Sequence, residues 1–164
     1  MNQIINFNLN VYKNTLSIGN KLIKNTIVIH PLECNDANID GSPGESTYKR
    51  YYRFAASGAG VIWFETMSIS EQGRTNKNQL YLNTKNTDLF KILLSNMKKI
   101  NEALCVAQIS HGGKYCLSSE GFKISKNYKI LDLQKEKYIE AVRGAIEAGF
   151  DGIDLKLCHG FLLG

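Results

Sequence analysis

The chain has 164 residues, of which 43% are hydrophobic and 21% are charged, and it carries a formal net charge of +5. This composition can bury one ordinary core and excludes a disordered chain. The basic residues are spread along the sequence, so nucleic-acid binding is not expected, and the longest apolar run is too short to span a membrane.

The four cysteines lack the close spacing of a metal or redox motif, at Cys34, Cys105, Cys116 and Cys158. The first 20 residues are polar and have no apolar core of a secretory signal. We therefore expect free thiols, no metal site and a cytoplasmic location.

The first predicted element is a short hairpin over Leu16–Ile23 that turns at Gly19 and Asn20. Such a hairpin would plug the bottom of a barrel. Four nearly continuous apolar runs then predict parallel strands that are buried on both faces. These runs are Thr26–His30, Val61–Glu65, Leu104–Ile109 and Gly152–Leu157.

Three segments with helical spacing of apolar residues separate these runs: Ser46–Ser57, Asp88–Asn101 and Leu133–Ala148. The alternating order demands a parallel sheet with right-handed crossovers. Eight such units would need on the order of 250 residues. The predicted fold is therefore α/β, a TIM (β/α)8 barrel truncated to about its first four strands and three helices. Residues 1–164 would form one incomplete domain.

The fourth predicted strand carries the sharpest chemical signal. With a period of two, Asp154 and Lys156 share the face that points into the barrel. A buried charge needs a partner, so an ion pair between these two residues is the structural interpretation. The functional interpretation is that Lys156 and His159 bind an anionic or carbonyl oxygen, because His159 begins a loop on the catalytic face of such barrels.

Other polar residues also follow strand ends. Gln108 would offer a donor and an acceptor to the edge of a heterocycle if it points inward. Glu33 follows the first strand and Glu65 ends the second, and at such positions structural salt bridges are more common than catalytic carboxylates. Cys158 lies between two cationic side chains, which makes it a modest candidate for a reactive thiol.

Taken in order, these residues resemble the N-terminal half of the old yellow enzyme family, the FMN-dependent NADH:flavin oxidoreductase and ene-reductase barrels. The resemblance runs from about Leu16 to Gly164. It is carried by several ordered motifs: KNTIV before Pro31, YYRFAASGAG from Tyr51, FET from Phe64, EQGR from Glu71, QISHGG from Gln108, AGFDGI from Ala148 and CHGFL from Cys158.

The resemblance implies an FMN cofactor, NAD(P)H as the reductant and a small-molecule substrate. Gln108 matches the glutamine that binds the flavin pyrimidine edge, and Pro31, Leu32 and Glu33 match the loop beside the isoalloxazine. Thr66 falls where the family keeps a small residue near the flavin. Lys156 and His159 match the pair that polarises the substrate carbonyl, and both can donate to a developing oxyanion.

This chain departs from the family pattern at several positions. Glu33 replaces a cysteine or threonine, and its carboxylate would disfavour an anionic reduced flavin. Phe161 replaces the tyrosine that protonates the substrate, and Lys156 replaces a histidine. The arginine near the flavin and the phosphate-binding loops after strands seven and eight have no counterpart.

Three functional hypotheses remain at this point. In the first, the chain is the N-terminal fragment of an FMN-dependent oxidoreductase that passes hydride from NAD(P)H through flavin to an activated alkene or another acceptor. The second is a truncated or split-gene product without turnover, which needs a missing C-terminal half-barrel or associates with itself through open sheet edges. In the third, Lys156 forms a Schiff base without flavin.

Overall fold

The structure, a computed structural model, describes residues 12–117 and 128–164. Its strands are β1 (Leu16–Ile18), β2 (Lys21–Ile23), β3 (Val28–Ile29), β4 (Val61–Trp63), β5 (Met67–Ser68), β6 (Leu104–Ser110) and β7 (Gly152–Leu155). Its helices are α1 (Glu45–Ala56), α2 (Thr87–Ile100) and α3 (Tyr128–Ala148), and a 3₁₀ turn spans Gly113–Tyr115.

The main sheet is parallel throughout. β3 pairs with β4, β4 and β5 both pair with β6, and β6 pairs with β7. Since β5 follows β4 along the same edge of β6, the two form one interrupted barrel strand. The α1 segment connects β3 to β4, α2 connects β5 to β6, and α3 connects β6 to β7. The predicted α/β fold, part of a TIM barrel, is confirmed.

The predicted hairpin is also confirmed. β1 and β2 pair antiparallel, with Leu16 opposite Ile23. Gly19 has a φ of 59°, a left-handed conformation that glycine adopts without the steric cost of a Cβ atom. Ile23 is buried in a cluster with Val61, Leu104 and Val106 on the inner face of the sheet. The hairpin therefore covers the N-terminal ends of the barrel strands.

The larger core lies between the sheet and its helices. Every second side chain along the strands points away from the barrel interior and faces this layer, namely Ile62, Phe64, Cys105 and Ala107. The apolar stripe of α2 packs against them through Phe90, Leu93, Leu94 and Met97, all essentially inaccessible to solvent. Burying each of these side chains contributes roughly 1.5–3 kcal/mol. The helices are thus held to the outer face, which leaves the inner face for polar side chains at one end.

The interruption between β4 and β5 is a bulge that the sequence did not predict. Trp63 pairs with Val106 at the end of β4, and Met67 pairs with Ile109 at the start of β5. The range 64–66 therefore sets three residues against two of β6. An extra residue reverses the alternation of side chains. Residues up to Phe64 keep the alternation of β4, whereas Glu65 and Thr66 point to the opposite faces from those that a period of two predicts.

The predicted element boundaries need small corrections. The first and second predicted strands shorten to Val28–Ile29 and Val61–Trp63. The last helix begins at Tyr128, five residues before the predicted start at Leu133. Its predicted glycine cap is confirmed, because Gly149 has a φ of 96° and its N–H donates to the carbonyl of Ala145.

Within residues 12–117 and 128–164, no strand pairs with the outer edge of β3 or of β7. In the same described ranges, none of the helices is both long enough and apolar enough to span a membrane. The cytoplasmic location stays a prediction.

Candidate functional site

The first part of the site joins β6 to β7 across the inner face of the sheet. Gln108 lies opposite Asp154 in the strand register. The Nε2 atom of Gln108 donates to Oδ2 of Asp154 over 2.6 Å, and Nε1 of Trp63 donates to the same oxygen over 3.2 Å. Thr66 Oγ1 donates to Oε1 of Gln108. Both ends of the Gln108 amide are therefore engaged, which fixes its orientation.

The second part of the site surrounds Lys156, which follows β7. Its side chain is only 5% exposed. Nζ donates to Oε1 of Glu33 over 2.6 Å and to Oγ1 of Thr66 over 3.1 Å. The Phe161 ring centroid lies 4.4 Å from Nζ, within the range of a cation–π contact. The buried ammonium is thus paired and hydrogen-bonded, as a buried charge requires.

These contacts form one continuous set of hydrogen bonds, which we call the mouth network. Its members come from the C-terminal ends of all four barrel strands and are Glu33, Lys156, Thr66, Gln108, Asp154 and Trp63. The structure therefore brings together Gln108, Thr66, Glu33 and Lys156, four of the residues predicted for the site. Their convergence fits the rule that barrel enzymes keep their chemistry at this end.

The structural interpretation of the fourth strand is wrong in one respect. Lys156 pairs with Glu33 from the first barrel strand and not with Asp154. Asp154 instead accepts hydrogen bonds from the neutral donors Gln108 and Trp63. The ion pair therefore ties β7 to the loop after β3, a contact between residues 123 positions apart.

The other predicted site residues lie at the rim. Leu32 is 66% exposed and Pro31 is half-buried. His159 is exposed and has a left-handed φ of 61°, with its ring centroid 6.4 Å from that of Phe161. Since Phe161 also contacts Lys156, His159 lies near the mouth network but outside its hydrogen bonds. Binding roles for these three residues stay predictions.

The loop after β6 supports the loop that carries His159. The backbone N–H of Leu162 donates to the carbonyl oxygen of His111 over 3.0 Å. The His111 side chain is buried, and its Nδ1 accepts from the N–H of Gly113 over 3.1 Å. Burial, with a smaller contribution from the positive charge of Lys137, lowers the pKa of His111 to about 4. A neutral imidazole therefore lies beneath the mouth.

Glu65 belongs to a separate set of contacts on the helix side of the sheet. Arg50 in α1 donates to both Asp36 and Glu65, and Tyr51 Oη accepts from the backbone N–H of Glu65 over 2.9 Å. The backbone N–H of Cys34 donates to Oε2 of Glu65 over 3.1 Å. We call these five residues the helix-side network. The expectation that a structural salt bridge is the commoner role fits Glu65.

The pKa values of the two carboxylates in the helix-side network shift in opposite directions. Burial raises the pKa of Glu65, and the charge of Arg50 offsets this only in part. Burial also acts to raise the pKa of Asp36, but the hydrogen bonds from Arg50 and Thr47 outweigh this effect. The pKa of Asp36 is therefore lower than its usual value. Glu65 is 1% exposed at its side chain, so neither water nor a ligand reaches it.

The cysteines are free thiols, as predicted. Burial raises the pKa of Cys105 to about 12 and also raises the pKa of Cys34. Cys158 is exposed beside the site, and Cys116 Sγ lies 3.7 Å from Nδ1 of His111. In the described part of the chain, no group of three metal-binding side chains comes together.

The sequence analysis did not assign Trp63 or Asp154 to the site. A usable signal existed for Asp154, because the period of the fourth strand already placed it inward beside Lys156. For Trp63 the signal was weaker, since a tryptophan in a strand is usually packed in a core. Its indole N–H, which needs a partner when buried, is what connects it to Asp154.

Comparison with known sequences finds relatives over most of the chain, although no family model matches it. An NADPH dehydrogenase from Listeria welshimeri is 30% identical over 157 residues, which is 86% of this chain and 46% of the relative. An NADH oxidase from Thermoanaerobacter brockii is 28% identical over 166 residues, which is 90% of this chain and 26% of the relative. The chain thus spans about half, or less, of these proteins.

Solved structures show the same fold. An old yellow enzyme from Pichia has a TM-score of 0.83 at 16% identity, with 93% of this chain and 47% of that one covered. A 2-naphthoyl-CoA reductase in complex with 2-naphthoyl-CoA has a TM-score of 0.83 at 18% identity and is covered to 28% of its length. With the sequence relatives, these likenesses confirm the predicted resemblance to the N-terminal half of old yellow enzymes.

Proposed function

Because the chain resembles the N-terminal half of the old yellow enzymes in sequence and fold, we propose that it is part of an FMN-dependent oxidoreductase. The reaction would pass a hydride from NAD(P)H through the flavin to an activated alkene or another acceptor. The mouth network is the observation that carries this proposal. It gathers polar side chains from four strands at the end of the barrel where ligands bind.

The residues of the mouth suit the edge of a flavin ring. Gln108 is half-buried and presents an amide that Thr66 and Asp154 hold in one orientation. One N–H and one lone pair of that amide remain for a ligand, the pattern that a heterocycle edge requires. The concern that Glu33 would repel an anionic reduced ring is reduced, because Lys156 neutralises its carboxylate.

The protein would supply binding and electrostatics, whereas FMN supplies the hydride transfer when it is bound. Lys156 would donate a hydrogen bond to the carbonyl oxygen of the acceptor and so stabilise negative charge that develops there. His159 would act as a second donor from the rim. The pair with Glu33 and Thr66 fixes Nζ in advance, so little reorganisation is needed when the acceptor binds.

A flavin titration tests this proposal. FMN is added to the purified chain, alone and with the C-terminal half of the Listeria welshimeri NADPH dehydrogenase supplied as a separate chain. The second arm provides the remaining length of a relative. We expect a yellow complex that NADPH bleaches and that an α,β-unsaturated ketone reoxidises. Lys156→Met should retain the flavin and slow the reoxidation, whereas a colourless, inactive mixture in both arms would end the proposal.

A chain without turnover of its own is the second candidate, favoured by β7, whose outer edge pairs with no strand among the residues that the structure describes. Leu155 at the end of β7 is 46% exposed, and Leu157, two residues further along the chain, is 63% exposed. Exposed apolar edges promote association with another chain. Size-exclusion chromatography of the isolated chain with FMN separates the candidates. Dimers or aggregates without flavin favour this alternative, and a monomer that retains flavin contradicts it.

A further inference from the structure

The ammonium of Lys156 has little capacity left for a charged ligand. A lysine ammonium carries three donors, and two of them are directed at Glu33 and Thr66. The Phe161 ring covers a further side of Nζ at 4.4 Å. One N–H is therefore the most that Lys156 can offer an incoming oxygen while the ion pair is intact.

The charges around this N–H are unbalanced towards the negative. Lys156 is the cation of the mouth network, and Glu33 and Asp154 are its two anions. Asp154 is bound by the neutral side chains of Gln108 and Trp63, so no cation within the network compensates it. A second anion placed beside Lys156 would meet a net charge of minus one, whereas an uncharged carbonyl oxygen would meet only the donor.

Among the charged residues of the mouth network, Glu33 is the one whose side chain has room to move. Its side chain is 30% exposed, against 5% for Lys156, and it lies on the loop after β3. We propose that Glu33 determines specificity: by neutralising Lys156 it makes the site accept uncharged carbonyl ligands and reject carboxylates. This inference rests on the proposed function, since it assumes that Lys156 binds the oxygen of the acceptor.

Two probes that differ in charge but hardly in shape test the inference. Benzamide and benzoate are titrated into the full chain, and the emission of its single tryptophan reports binding. That residue, Trp63, donates to Asp154 within the mouth network. We expect benzamide to bind wild type about tenfold more tightly than benzoate. In Glu33→Gln, benzoate should gain about tenfold and benzamide should change by less than about twofold.

Two further variants assign the effect. Glu102→Gln removes one exposed carboxylate between α2 and β6, at the opposite end of the sheet, and should leave both affinities unchanged. In the double variant Glu33→Gln/Lys156→Met, the gain in benzoate affinity should disappear. If Glu102→Gln reproduces the gain, the effect is one of net charge and the inference is wrong.

Other results also decide the matter. Equal affinities for the two probes in wild type, an unchanged benzoate affinity in Glu33→Gln, or no binding of either probe would each overturn the inference. The proposed function has a separate outcome. A protein that binds FMN and is bleached by NADPH, alone or with the C-terminal half of the relative, but does not distinguish the probes rejects the inference alone. A chain that distinguishes the probes but stays colourless and inactive in both arms of the flavin titration rejects the proposed function alone.

Discussion

The helix-side network and the mouth network each contain a glutamate that lies at or after the end of a predicted strand, but the surroundings of the two side chains differ. Glu65 is sealed between β4 and α1, where Arg50, Tyr51 and a backbone N–H contact it. Glu33 faces the mouth and is 30% exposed, with Lys156 as its partner. Two carboxylates at strand ends thus have different roles because of the face on which each one lies. The buried pair of Arg50 and Glu65 stabilises the fold. The partly exposed pair of Lys156 and Glu33 keeps donor and acceptor groups that a ligand could use.

The largest loss of stability should come from a substitution in the helix-side network. Arg50→Met leaves Glu65 and Asp36 without their cation, and Glu65 cannot turn to water because it is 1% exposed. We expect a loss of about 3–5 kcal/mol in the free energy of unfolding, measured by urea denaturation. The control is Lys49→Met, one residue earlier on α1, whose partner Glu45 is on the surface. Equal stability of the two variants would contradict the sealed role.

Acid should destabilise the support beneath the mouth. The pKa of His111 is lowered to about 4 in the folded chain, mainly by burial, whereas the unfolded chain binds this proton near pH 6.5. The stability from a neutral His111 is complete above pH 6.5. It falls as the pH drops towards 4, by about 3 kcal/mol in total.

Urea denaturation of wild type and His111→Asn between pH 7.5 and 4 checks this effect. Asparagine can still accept a hydrogen bond from the N–H of Gly113 but does not titrate. The free energy of unfolding of the variant should therefore fall less than that of wild type between pH 7.5 and 4. Parallel pH profiles would show that His111 does not carry the acid sensitivity.

Breaking the ion pair between Lys156 and Glu33 should reduce stability less than breaking the pair between Arg50 and Glu65. Lys156→Met removes the ion pair, but Glu33 can then turn towards water because it is partly exposed. We expect a loss of about 1–2 kcal/mol in the free energy of unfolding. Urea denaturation of Lys156→Met and Arg50→Met under the same conditions shows which variant loses more stability. A Lys156→Met variant as unstable as Arg50→Met would mean that the mouth is a structural core rather than an open site.

The smallest effect on stability should come from Asp154→Asn. The amide has the same shape as the carboxylate and can still accept from Trp63, so the fold should be kept. The loss of a negative charge beside the indole should shift the emission maximum of Trp63, which fluorescence measures directly. An unchanged emission spectrum would contradict the contact between Trp63 and Asp154.

The sequence predicted the order of elements well, because parallel strands buried on both faces leave continuous apolar runs such as Leu104–Ile109. It also predicted that Lys156 points inward, since this residue follows the period of its strand. The direction of Gln108 stayed open from the period alone, and its place in the site came from the family resemblance. The bulge at 64–66 was not predictable in this way. It depends on the register between two strands, and it moves Thr66 to the mouth and Glu65 to the helix side.

The partner of Lys156 illustrates the same limit. A period of two places Asp154 and Lys156 on one face, which suggested that they pair. The loop after β3 instead brings Glu33 within 2.6 Å of Nζ, while Gln108 and Trp63 satisfy Asp154. Contacts between distant loops follow from the closure of the sheet and leave no periodic signal in the sequence.

A titration with lumiflavin, the flavin ring without its phosphate, tests most directly whether the mouth network is a flavin site. The emission of Trp63 is followed in wild type, in Gln108→Leu and in the control Glu102→Gln. We expect lumiflavin to quench Trp63 in wild type and in the control, and the dissociation constant to rise about tenfold or more in Gln108→Leu. The absence of quenching, or equal dissociation constants in all three proteins, would contradict the account.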